Sequence, residues 1–376
     1  MSDTRGTFKL KNVRNDILSN EYVPVPAVFI DNSISQSTTA GYYIGGSTNS
    51  PYVAMSNIDK LTYANDTIST PPTASGFGRY TPSTPSYNYY DNITVSNNGA
   101  FALFTNWHIC NTPSPAPVMY KHDFSTDDVT TVPSLAPVFP GAGGNGGAGT
   151  AETAWWHATT VPSFNYTTTK ITYATESYSY LPSSTGFTSN GLGSMSRIFQ
   201  NQLVAGWTPA QPAPNPGSSQ CKKLTFATDT FTDNGWTLNS NRNSLAAVDA
   251  GSDDNTGLVA GGYMSPGITN TVEKITLSNS TTSSAPAMPG SRYRGAGHSS
   301  GSGGSGYFSA QSSGAGATTA ISKVPFSHYG GWGAIPATLS VVRRNCVGYS
   351  GLSKALKSGM PAPIERWFDG SPENLK

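Results

Sequence analysis

NIDKLTYANDT (57–67), MYKHDFSTDDV (119–129), TTKITYATES (168–177), CKKLTFATDT (221–230), VEKITLSNST (272–281) and ISKVPFSHYG (321–330) align on a shared lysine. Lys60, Lys121, Lys170, Lys223, Lys274 and Lys323 stand at intervals of 61, 49, 53, 51 and 49 residues. Three residues after each lysine comes Tyr63, Phe124, Tyr173, Phe226, Leu277 or Phe326. The positions one and three after the lysine are mostly apolar, as in Leu61 with Tyr63 or Ile171 with Tyr173, and the residue between them is usually Thr. Alternation of this kind, rich in aromatic and β-branched residues, is the period-two signal of a strand. Six copies at a near-constant period identify a repeat architecture before any single motif does.

Upstream of each lysine strand lies a second short apolar run: GYYIGG at Gly41, GAFALF at Gly99, TAWWHA at Thr153, QLVAGW at Gln202, GLVAGGY at Gly257 and GYFSAQ at Gly306. The linker between the two runs is rich in Pro, Ser and Gly and varies in length, as loops do. A further marker precedes the second run in most units: Arg79, Arg197, Arg242, Arg292 and Arg344 each open a stretch of small or aromatic residues, clearest in RNSLAAVDAG, RYRGAGHSSG and RRNCVGYSG. A unit of about 50 residues has room for four short strands, the size of a kelch repeat. Four strands alone cannot bury both faces of their sheet, but sheets packed radially cover one another, and six units close a ring. The expected fold is therefore all-β, a six-bladed kelch-like β-propeller with extended N- and C-terminal arms. The last marker comes after the sixth lysine strand, so RRNCVGYSG is inferred to return to the first blade as its missing strand. PAVFIDN at Pro26 competes for that place.

Composition agrees with this reading. Gly 40 and Pro 27 of 376 residues disfavour long helices. Tyr 19, Phe 15 and Trp 7 supply the buried area that a disordered, charge-rich chain lacks. A net charge of +1 gives no field for nucleic acid or anionic lipid. No apolar run approaches the roughly 18 to 20 residues that span a bilayer, and the N-terminal stretch has no apolar core of a secretory signal. Cys110, Cys221 and Cys346 are too few and too widely spaced for a disulfide framework and are read as free, mostly buried thiols.

The unit GYYIGG followed by NIDKLTYANDT, with the opening DTRGTFKLKNVRNDILSNEYVPVP, resembles the kelch-like virion structural proteins of marine tailed bacteriophages, those of cyanobacteria above all. The resemblance covers about residues 1 to 350. It departs in the second unit, with GAFALF and KHDFSTDD, and in the third, where the Gly-rich GAGGNGGAGT stands in place of an Arg-led strand. What it implies is a particle component, assembled in the host cytoplasm, held among other virion proteins in a symmetric assembly and attached through its terminal segments.

Motifs that carry chemistry elsewhere have plainer readings here. Gly141, Gly143 and Gly146 spell G-x-G-x-x-G, but the following TAETAWWHATTVPSF is a poor helix, so the stretch is read as a flexible inter-strand loop. None of the histidines His108, His122, His157, His298 and His328 pairs with another His or Cys at metal spacing, and His122 occupies a slot that is apolar in other units, which makes it a packed inter-blade residue. Asp249, Asp253 and Asp254 are read as a solvated turn before a calcium loop, and Asp233, Gly235 and Trp236 match an aspartate box once and out of register. Trp155 and Trp156 are neighbours in one strand and so point to opposite faces, leaving open whether one is presented to a partner. No catalytic, cofactor or metal constellation is picked out, and the chain is read as a non-enzyme needing no cofactor.

The ends carry the candidate partner-binding residues. Arg5, Lys9, Lys11 and Arg14 belong to a docking arm over residues 1–25, where Val13, Ile17 and Leu18 fit a short amphipathic helix. The propeller is assigned to 26–351. A tail over 352–376 presents Trp367 and Phe368 as an anchor for another subunit's groove. The leading function is a structural virion component (tail, fibre, baseplate or capsid decoration) making protein or host-surface contacts. A glycan-binding receptor-recognition propeller is the alternative, and a glycosidase or oxidase ranks last.

Overall fold

A computed structural model describes the chain from residue 39 to 350, with the exception of 47, 49–54, 73–90, 98–99, 109–117, 139–143, 151, 161–164, 182–193, 199–200, 206–217, 233–234, 250–255, 265, 294, 302–303, 310–311, 314–315 and 344–345. The described residues all fall within one compact unit, Ile34–Ala355. They form a six-bladed β-propeller that includes the 3-10 segment Pro133–Val138, and no helix among them is long and apolar enough to cross a membrane.

Each blade is an antiparallel sheet, and in every blade but the first the strands described below run outward in chain order. Blade two is Asp91–Asn97, Phe101–His108, Val118–Asp123 and Val129–Thr131. Blade three is Gly144–Gly149, Thr153–Thr160, Asn165–Thr172 and Ser177–Tyr180. Blade four is Ser194–Ile198, Asn201–Ala205, Ser218–Thr225 and Thr230–Thr232, with Thr237–Arg242 also paired to its third strand. Blade five is Ala246–Asp249, Thr256–Ala260, Val272–Thr276 and Thr281–Ala285. Blade six is Ala296–Ser299, Ser305–Ser309, Gly316–Pro325 and Gly333–Arg343. Blade one takes its innermost strand, Val347–Ser350, from the far end of the ring, followed by Ala40–Ile44, Ile58–Thr62 and Thr67–Ser69. RRNCVGYSG thus closes the ring, with Gly41 opposite Ser350 and Ile44 opposite Val347. The six innermost strands touch their neighbours in blade order and return to the start, so the ring of blades is closed.

The shared lysines all lie on third strands, and the upstream apolar runs form the second strands. These second strands are apolar on consecutive residues because both faces are covered by neighbouring blades. Leu103 packs toward blade three while Phe104 packs toward blade one, and Tyr42 and Tyr43 divide in the same way between blades two and six. Six apolar clusters result, one in each seam.

Two expectations are corrected. GNGGAG is not a loop: Gly144–Gly149 is the innermost strand of blade three, while Gly141 and Gly143 lie outside the described residues. A Cβ on Gly147 would stand 2.5 Å from the carbonyl oxygen of Val95, and one on Gly149 would stand 2.8 Å from that of Asn97. Innermost strands converge on the axis, and here only glycine lets two backbones come that close. The arginine marker also shifts. Arg242, Arg292 and Arg343 stand four residues before the innermost strands of blades five, six and one, so Arg343 and not Arg344 is the repeat equivalent. Arg197 lies within an innermost strand instead of ahead of it. Arg79 and Arg344 are outside the described residues.

Candidate functional site

The polar side chains of the described ring converge on its seams. The turn after each lysine strand holds one residue in the left-handed region, always six positions past the lysine: Asp66, Asp127, Glu176, Asp229, Ser280 and Tyr329, with φ between 45° and 58°. That geometry aims the side chain back at the preceding blade. Lys60 donates to Asp127 Oδ2 at 2.7 Å while Tyr42 Oη donates to Oδ1 at 3.2 Å. Lys170 donates to Asp229 Oδ2 at 2.6 Å while Trp155 Nε1 donates to Oδ1 at 2.7 Å. Lys323 donates to Asp66 Oδ2 at 2.7 Å while Tyr307 Oη donates to Oδ1 at 2.9 Å. In each case the aromatic donor lies directly across from the lysine on the second strand. Where that position is Leu103, Leu203 or Leu258, the next blade carries Glu176, Ser280 or Tyr329 in place of Asp, and Lys274 lies over the Tyr329 ring at 4.4 Å. Burial, reinforced by the Asp127 charge, pushes the Tyr42 hydroxyl well above the usual phenol range and keeps it a donor.

A second set of bonds ties the linkers that lead into blades one and five to those blades. Arg343 donates through Nη1 to the Asn57 and Gly45 carbonyls and through Nη2 to Asp59 Oδ2 at 2.6 Å, and both partners of the ion pair are fully buried. Arg242 repeats this in blade five with the Thr271 and Gly261 carbonyls and Glu273 Oε1 at 2.6 Å. Burial lowers the Arg242 pKa and the Glu273 charge opposes that. Each carboxylate stands one residue before the blade's lysine. The alignment on the lysine displays this position and the one six residues past it, but their roles depend on neighbours that only the closed ring supplies.

Three of the histidines, His122, His157 and His298, serve packing. His122 Nδ1 lies 2.8 Å from Tyr349 Oη, and its ring meets Tyr42 edge-on, so it sits between blades one and two as the repeat register implied. Burial lowers its pKa against the opposing pull of Asp127. His157 Nδ1 contacts Thr168 Oγ1 at 2.9 Å. His298 Nδ1 contacts Tyr63 Oη at 2.8 Å, and burial takes its pKa down to about 3. Among the described residues no group of three or more His, Cys, Asp or Glu is placed to hold a metal. Asp249 ends an innermost strand and accepts from Ser299 Oγ, while Asp253 and Asp254 lie outside the described residues. Trp236 is buried and donates to Thr282 Oγ1 at 2.9 Å. Cys221 and Cys346 are buried thiols outside any disulfide, and burial raises Cys346 to about 12.

The tryptophan pair is resolved in favour of the core. Trp156 packs toward blade two and donates to Ser96 Oγ at 2.8 Å, whereas Trp155 stacks on Phe226 of blade four with centroids 4.2 Å apart. Neither is presented to solvent. Among the described residues the exposed tyrosines are Tyr178 and Tyr180 on the outermost strand of blade three, edge to face at 5.6 Å. Their strand, SYSY, is exposed at every residue. Arg5, Lys9, Lys11, Arg14, Trp367 and Phe368 lie outside the described residues. No protein-family model and no curated protein matches the chain.

Proposed function

We propose that this chain is a structural component of a tailed-phage virion, in which the propeller is a rigid, non-catalytic body and the flanking segments, residues 1–25 and 352–376, grip neighbouring subunits. The observation that carries this reading is the pairing of Gly41 with Ser350 in adjacent strands of blade one. The N-terminal flank with Arg5, Lys9, Lys11 and Arg14 and the C-terminal flank with Trp367 and Phe368 are therefore joined to the ring at neighbouring points of a single blade. Two segments leaving one place form a bivalent attachment, which binds more tightly than either segment alone. The lysine, aspartate and arginine side chains of the seams support the same reading, since they are engaged in holding blades together. The resemblance of GYYIGG, NIDKLTYANDT and the N-terminal stretch to phage kelch-like virion proteins gives the class of assembly.

The test is incorporation of three chains into particles: the full chain, one lacking residues 1–25, and one with Trp367→Ala and Phe368→Ala. The expected result is folded protein, by circular dichroism and a single sharp unfolding transition, that fails to join particles when either flank is altered. Normal incorporation of both altered chains overturns the proposal.

The exposed Tyr178 and Tyr180 favour glycan recognition as a second reading, because phenol rings stack on sugar faces while their hydroxyls hydrogen-bond. A glycan array probed with the full chain and with Tyr178→Ala/Tyr180→Ala decides it. Binding lost in the variant supports this role, and silence across the array removes it.

A further inference from the structure

Blade six keeps an arginine at the place of the buried Arg343 and Arg242 of blades one and five, here partly buried, but lacks the acid that neutralises it. Arg292 is the repeat equivalent of Arg343 and Arg242, four residues ahead of the innermost strand, and its Nη1 donates to the Ala320 carbonyl at 3.3 Å. Ala320 stands three residues before the blade's lysine, as do Asn57 and Thr271, the carbonyl partners of the other two arginines. The acid position, one residue before the lysine, is Asp59 in blade one and Glu273 in blade five, but Ser322 in blade six. Ser322 is 1 % exposed and, among the described residues, its Oγ has no hydrogen-bond partner.

The backbone changes in step. In blades one and five the amide three residues before the arginine serves the carboxylate: Ser340 N donates to Asp59 Oδ2 and Asn239 N to Glu273 Oε2, each at 2.9 Å. In blade six that residue is Pro289, which has no N–H to give. Acid and supporting amide are replaced together while the guanidinium stays. A guanidinium carries five N–H donors and is always charged, and a partly buried one with no anion nearby is costly. Burial lowers the Arg292 pKa, and among the described residues no acid acts against it.

We infer that blade six binds a small monovalent inorganic anion of halide type between the Arg292 guanidinium and the Ser322 hydroxyl, in the place that the Asp59 and Glu273 carboxylates occupy in their own blades. Arg292 supplies charge and N–H donors, and Ser322 Oγ supplies an O–H donor. Replacing Asp or Glu by Ser removes about the volume of a carboxyl group, which is the size such an ion needs. The inference is independent of the virion reading.

The full chain is compared with Ser322→Asp and Arg292→Gln in sodium bromide and in sodium gluconate at equal ionic strength, with bromide located in crystals by its anomalous signal. The expected result is a rise in unfolding temperature of roughly 2–4 °C on exchanging gluconate for bromide at tens of millimolar. That rise is absent in Ser322→Asp, which supplies its own carboxylate and is the more stable protein in gluconate. A bromide peak between Arg292 and Ser322 accompanies it. An equal rise in all the chains, no rise in the full chain, or density at the site without anomalous signal overturns the inference. Should Arg292→Gln fail to fold, Ser322→Asp and the anomalous map still decide.

Discussion

Asp229 on the turn of blade four stands 2.6 Å from Lys170 of blade three, and its second carboxylate oxygen takes the indole N–H of Trp155 at 2.7 Å. Three of the six seams carry such a clasp, and in each the acid comes from the next blade. The ion pair alone is a weak bond, since both side chains are 30 % exposed and such pairs contribute about 0–1 kcal/mol. The indole decides the energetics. Trp155 is 3 % exposed, and losing the acceptor leaves a buried donor unsatisfied, at about 1–3 kcal/mol.

Asp229→Ala is therefore expected to lower unfolding free energy by about 2 kcal/mol. Ser280→Ala, at the equivalent turn position where no clasp forms, is expected to change it by less than about 0.5 kcal/mol. Asp229→Asn keeps the left-handed turn and one acceptor oxygen and falls between the two. Urea unfolding of the full-length chains measures all three. Equal effects at Asp229 and Ser280 would mean that the clasp adds nothing to the seam.

Burial of His298 makes stability depend on pH. It is 4 % exposed, and its pKa in the folded chain falls to about 3, against about 6.5 for the unfolded chain. Below about pH 6.5 the unfolded chain takes up a proton that the folded chain refuses, so acid favours unfolding, by up to about 1.4 kcal/mol per pH unit for one such group. The contribution is whole above pH 6.5 and declines down to the folded pKa. His122 is shifted in the same direction. Asp123, held below the usual carboxylate range chiefly by its Ser125 hydrogen bonds, adds a loss with the same sign only at lower pH, near its own titration. The denaturation midpoint is expected to fall between pH 6.5 and 5, with His298→Gln flattening the slope by about one proton. An unaltered slope in that variant would contradict a buried neutral imidazole.

The repeat was legible because its strands are covered on both faces, which stamps apolar residues at Lys60+1 and +3 and in runs such as GYYIGG. His122 could be assigned to a seam from register alone. Strand signals rest on branched and aromatic residues, however, and Gly144–Gly149 has neither. It pairs because its glycines let it approach Val95 and Asn97, a demand that arises only when blade two is already alongside. The RR pair at 343–344 put the marker one residue too late, at Arg344, and the partner that distinguishes them, Asp59, lies at the other end of the chain. The clasp acids were visible as letters in the same alignment but had no meaning until the next blade stood beside them. The proposed arm and tail residues fall outside the described structure and stay at the level of sequence.

The ring is held shut by the four residues Val347–Ser350, and a close backbone contact makes this closure testable. A Cβ at Gly348 would meet the Gly297 carbonyl oxygen at 2.7 Å and the Gly297 nitrogen at 3.2 Å, so it collides with backbone of blade six that no rotamer change can move aside. Next to it, Tyr349 is fixed by His122 Nδ1 and by stacking on Tyr42 at 5.4 Å. Gly348→Val is therefore expected to cost about 1–3 kcal/mol and to act at the seam first. In hydrogen exchange, the amides of 347–350 and of the facing strand Ala40–Ile44 should lose protection while Leu258 and Val259 in blade five keep theirs. Gly267→Val, at a position where nothing lies within 4 Å of the added carbon, controls for the branched side chain itself and is expected to be nearly neutral. Wild-type protection of 347–350 in Gly348→Val would show that these residues do not close the ring.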